Sequence, residues 1–140
     1  VSTDHRPGAA TAAFGWTVLA LVFLDEVAAA GAAGVWGSHV GRGATAVLLA
    51  VAVPLLLVLV WWAFASPKAP FGGPVVRPVV KVLVFGLASL GLWQAGHPGW
   101  ALALLVFSVV VNALALLPSV RSLVPADQGP REHGSRARSG

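Results

Sequence analysis

Residues 11–37 read TAAFGWTVLALVFLDEVAAAGAAGVWG, an apolar run interrupted only by Asp25 and Glu26 near its centre. A hydrocarbon core about 30 Å thick is crossed by roughly 20 helical residues at about 1.5 Å rise each. This stretch exceeds that length, and three others come near or above it, at 44–65, 79–95 and 100–117. An acidic pair at mid-depth is costly in lipid, so it has to be paired, protonated or turned to the inside of a helix bundle. The expected fold is all-α, an integral membrane four-helix bundle with short links. It fills residues 11–118, between a polar N-terminal tail (1–10) and a disordered basic C-terminal tail (119–140).

Composition agrees. Apolar residues make up 57 % of the chain and charged residues 10 %, well under the roughly 25 % that keeps a soluble domain wet. Mean hydropathy is +0.83. There is no cysteine, which excludes disulfides, thiolate metal sites and thiol catalysis. A net charge of +4 could suggest nucleic acid, but the basic residues are placed as membrane-orienting charges, so no nucleic-acid partner is expected. Arg6, Lys68, Arg77 and Arg121 fall close to the spans on one side and Arg42 alone on the other. Both termini are accordingly expected in the cytoplasm. The Ala-rich run 28–33 resembles a signal-peptide cleavage region, yet Asp25 and Glu26 would interrupt its apolar segment, so the first span is expected to be retained.

Local signals mark the ends of the spans. Trp16 and Trp36 suit the two headgroup levels of the first span. Pro54 sits mid-way along the second, which closes with Trp61, Trp62 and the helix-stopping SPKAP at 66–70. The links GSHVGRG (37–43) and GHPG (96–99) suit tight helical hairpins, and FGGPVVRP (71–78) is a turn-rich loop.

Several of these pieces together resemble the YrdB-like small membrane proteins, bacterial four-span proteins of unknown function. They are Phe23–Leu24–Asp25–Glu26 with the Ala/Gly run and Val35–Trp36–Gly37 after it, Pro54, the Trp-x-x-Phe-x-x-Pro-Lys-Ala-Pro signature at 61–70, Phe85–Gly86–Leu87–Ala88, and Gly96–His97. The likeness extends over about residues 14–117, and 61–70 is its most specific part. It implies the four-span fold and a bacterial inner membrane location, and brings no established activity. Glu26 matches the acidic position of the family's first helix. Asp25 stands where the family usually has an apolar residue.

The candidate ionisable site is Asp25, Glu26 and Lys81. Adjacent helical residues point about 100° apart, so the two carboxylates face different surroundings. Glu26 shares a small-residue stripe with Ala29, Ala30, Ala33 and Gly34, a surface that permits close helix approach. Counted from the start of the first span, Glu26 lies roughly 15–22 Å deep. Lys81 begins far shallower, and its stem is expected to snorkel to the headgroups instead of reaching Glu26. Ser108 and Asn112, four residues apart on one face of the fourth span, are candidate interhelical hydrogen-bonding groups. His39 and His97 lie in the two links of the other side, and two imidazoles without a carboxylate or thiolate make a poor metal site. No metal and no cofactor is expected.

No nucleophile elbow, phosphate-binding glycine loop or HExxH motif occurs, so the chain is expected not to be an enzyme. The leading expectation is a non-enzymatic membrane subunit or scaffold, whose partners are the bilayer and either further copies of the chain or another membrane protein. The alternative is a small oligomeric proton-coupled transporter or channel that uses the acidic pair of the first span.

Overall fold

A computed structural model describes residues 8–66, 68–121 and 123. Four long helices follow the four apolar stretches: α1 (Ala9–Val40), α2 (Ala44–Phe64), α3 (Val76–Gln94) and α4 (Pro98–Ala115). Each is long and apolar enough to cross a membrane. A single turn, α5 (Pro118–Arg121), follows α4. The protein is an all-α four-helix bundle. The expected C-terminal tail from residue 119 is corrected at its start, because α5 forms there and its Val120 is buried against the bundle. The basic residues Arg131, Arg136 and Arg138, like Arg6, lie outside the described residues.

The helices alternate in direction, and α1 is the central one, packed on α2, α3 and α4. Without a hydrophobic drive between helices in lipid, close approach has to come from small side chains and polar contacts. The shared core is accordingly fine-grained: Ala29 and Ala32 of α1 meet Phe85 and Ala88 of α3 and Leu104 of α4.

The α1–α2 hairpin is closer still. Pro54 has no N–H, so the Ala50 carbonyl one turn earlier loses its helical partner. That carbonyl lies against Gly34 of α1, where a Cβ would stand 3.1 Å from the oxygen. At Gly37 a Cβ would come within 2.7 Å of the Leu49 carbonyl carbon. Gly34 thus lets α1 cover the carbonyl that the proline leaves bare, and Gly37 lets the two helices approach as closely one residue earlier on α2. The α3–α4 link turns on Gly96, whose φ of 84° is accessible at low cost to glycine. His97 then precedes Pro98 at the first position of α4, where a missing N–H does no harm.

The 61–70 signature closes the end of α2. Ala65 and Ser66 both donate to the Trp61 carbonyl, and Ser66 Oγ donates to the Trp62 carbonyl at 2.9 Å. Phe71 N–H returns to the Ala63 carbonyl at 3.1 Å, with the Phe64 and Phe71 rings 5.7 Å apart. These bonds end the helix and fold the loop back on it.

Candidate functional site: the polar cluster on α1

Register explains the site. Glu26 of α1 lies opposite Lys81 of α3, and ten residues further along each helix Trp36 packs on Gly91. Glu26 is seventeen residues into α1, whereas Lys81 is only five into α3. About a dozen residues of α1, roughly 18 Å, therefore extend past the start of α3. Leu123 and the Ser119 carbonyl crowd Gly15 on this extension, and Val18 and Val120 are buried there. The acidic pair thus sits between the middle of the four-helix part, where Ser108 of α4 lies, and the end where α3 begins. Asn112 and Trp61 agree, each lying three residues before the end of its helix.

This register corrects the expectation for Lys81. Its Nζ lies 3.8 Å from Glu26 Oε1, with the Lys81 side chain 28 % and the Glu26 side chain 19 % exposed. Depth counted from the start of α1 overstated the separation, because that start lies well beyond the other helices. Lys81 reaches inward and bridges α3 to α1. At 3.8 Å and with partial exposure, such a pair contributes modestly.

Asp25 is the buried member, with none of its surface exposed. Ser108 Oγ donates to its Oδ1 at 2.5 Å, and Asn112 Nδ2 donates to its Oδ2 at 3.1 Å. Asn112 also donates to the Ser108 carbonyl at 2.9 Å. The four-residue spacing of Ser108 and Asn112 places both donors on one face of α4, and each takes one oxygen of the same carboxyl. Adjacent residues of α1 therefore tie it to two different helices, Asp25 to α4 and Glu26 to α3. The roughly 100° between them sets that division of labour.

Two participants were not legible beforehand. Trp61 of α2 lines, with Glu26 and Phe85, a crevice of about 240 Å³ between α1, α2 and α3. Its indole N–H interacts electrostatically with the Glu26 carboxyl, short of standard hydrogen-bond geometry. At the other end Trp36 Nε1 donates to Gln94 Oε1 at 2.9 Å. Trp36 reads in sequence as a headgroup anchor and Trp61 as part of the close of the second span, and nothing in their spacing shows an interhelical partner. The expected link at 37–43 is shorter than its sequence suggests, because α1 continues to Val40: His39 lies in the last turn of α1 and only His97 lies in a link, both at this second end. No group of three or more His, Asp or Glu able to hold a metal occurs among the described residues.

In chemical terms, the cluster holds helices together. Both Asp25 oxygens are taken up by donors from α4 and none of Asp25 is exposed, whereas Glu26 faces Lys81 at ion-pair distance and stays partly exposed.

A protein-family model described as "Protein of unknown function (DUF2568)" matches residues 20–111, which takes in the acidic pair, Lys81 and Ser108. No curated protein and no solved structure matches the chain. With four apolar spanning-length helices and a match over well more than half its length, the chain is a multi-pass membrane protein that belongs to the DUF2568 family of unknown function.

Proposed function

We propose that the protein is a non-enzymatic subunit or scaffold of a membrane assembly, of the YrdB-like kind, in the bacterial inner membrane with both termini in the cytoplasm. The observation that carries this reading is the engagement of the acidic pair. Asp25 is fully buried and bonded to Ser108 and Asn112, and Glu26 faces Lys81. Carboxyls held in this way fix helix positions, as interhelical polar contacts do in membranes. For Asp25, which is fully buried, a proton path would further need a route from water.

The form of α2 supports a lateral partner. None of its residues is buried, it packs chiefly on α1, and beyond Thr45 in its first turn its exposed side chains are apolar, among them Val47, Leu55 and Leu59. The orientation rests on charge: Lys68, Arg77 and Arg121 fall at the end where α2 finishes and α3 begins, with Arg42 at the opposite end.

Proton flux measured in proteoliposomes tests the reading against transport. We expect the wild-type chain and its Asp25→Asn and Glu26→Gln variants to give the same background leak. A pH-dependent flux in the wild type that either variant abolishes would overturn it in favour of a proton-coupled transporter.

A further inference from the structure

A second feature lies on the opposite side of Asp25 from α5. Between α1 and α4 runs an apolar groove of about 670 Å³, walled by Ala28 and Ala32 of α1 and by Trp100, Ala103 and Phe107 of α4, with His97 at its end. This volume falls within the roughly 300–1,000 Å³ typical of small-molecule sites. The groove exists because alanines on α1 face large side chains on α4, so the two helices leave a furrow instead of interlocking.

Its length and ends identify the occupant. From His97, the residue preceding α4, to Phe107 is ten residues, or about 15 Å along the helix, half of a hydrocarbon core of about 30 Å. The groove's lining stops at Ala28 and Phe107, and directly beyond it the Asp25–Ser108 hydrogen bond ties α1 to α4. A partner's spanning helix would need a furrow continuing through both leaflets. A lipid tail needs one leaflet only, with a polar group at the headgroup level, which exposed His97 provides beside the interface-seeking ring of Trp100. We propose that this groove is a binding site for one acyl chain of a glycerophospholipid from the leaflet on the side of the α1–α2 and α3–α4 links, its headgroup at His97.

The test fills the furrow from its open rim. Ala28 and Ala103 are exposed, so Ala28→Leu and Ala103→Leu add bulk to the groove without entering the core. Ala52→Leu, at an exposed position of α2, adds the same bulk elsewhere. The full chain would be purified from membranes in mild detergent, delipidated, titrated with dioleoylphosphatidylglycerol in mixed micelles, and weighed intact by native mass spectrometry. One lipid per chain is expected in the wild type and in Ala52→Leu, with at least tenfold weaker retention in the double variant at unchanged helicity. If the double variant loses helicity, Ala28→Leu alone takes its place, with a smaller loss expected in the same direction. Equal retention in a folded groove-filled variant, or no bound lipid in the wild type, would overturn the proposal. So would a second protein chain that is released when the groove is filled.

Discussion

Removing the Ser108 hydroxyl should cost more than one lost hydrogen bond. In Ser108→Ala, Asp25 Oδ1 loses its 2.5 Å donor in a site with no exposed surface, and an unsatisfied buried acceptor costs about 1–3 kcal/mol. Interhelical side-chain hydrogen bonds in membranes average about 0.6 kcal/mol and reach about 1.7. This one is short and fully enclosed, so we expect a coupling of about 1–2 kcal/mol between Asp25→Ala and Ser108→Ala, toward the upper end of those ranges. That is a factor of roughly 5–30 in the folding equilibrium. Asp25→Ala in turn leaves the buried Ser108 hydroxyl without its acceptor, while Asn112 keeps its bond to the Ser108 carbonyl. Replacing the whole network, as in Asp25→Leu with Ser108→Ala and Asn112→Leu, should fall within about 1 kcal/mol of the wild type or above it, as for other buried polar groups exchanged for apolar ones. The assay is reversible unfolding in mixed micelles with rising denaturing detergent, followed by helicity, across the complete double-mutant cycle. Additive single effects, with coupling below about 0.3 kcal/mol, would refute the claim that Ser108 and Asp25 form one energetic unit.

Other outcomes follow from the packing and the topology. Gly37→Ala should destabilise the α1–α2 hairpin by at least 1 kcal/mol, roughly the lower part of the overpacking range, because its Cβ meets the Leu49 and Ala50 backbone. Gly31→Ala, with nothing within 4 Å of its Cβ, should instead stabilise by about 0.5–1 kcal/mol; the same unfolding assay separates the two. Trp36→Phe keeps a ring over Gly91 but loses the bond to Gln94, so a loss of about 0.5–1.5 kcal/mol is expected, and Gln94→Ala in the Trp36→Phe background should add little. The chain has no cysteine, so single cysteines report topology cleanly. In intact cells, Arg42→Cys should react with an impermeant maleimide and Val75→Cys, at an exposed position of the second loop, should react only after lysis; the reverse pattern would invert the proposed orientation.

The fold was legible because the bilayer sets one length scale and the sequence meets it four times. The end of α2 was legible because chemistry marks it in the 66–70 segment, whereas Pro98, read as part of the link 96–99, opens α4. What composition could not supply was register. The first apolar stretch is longer than its neighbours, and no residue in it shows which part aligns with them. Counting depth from its start put Glu26 far from Lys81, whereas the structure lets α1 run past the other helices and brings the two together. The same offset hid the pairing of Asp25 with Ser108 and Asn112, although all three were singled out as polar residues in spans. Gly34 reads as a member of a small-residue stripe open to any helix, and Gly37 as the first residue of a link. Their task of sheltering the α2 carbonyls beside Pro54 appears only when α1 and α2 are seen together.

The most direct test of the subunit reading is the composition of the particle in which the chain resides. The protein would be extracted from its native membranes in mild detergent and the intact particle weighed by native mass spectrometry. The account predicts a complex containing a second kind of polypeptide, which survives Glu26→Gln. A particle built only from copies of this chain, carrying a proton flux that Asp25→Asn abolishes, would contradict it.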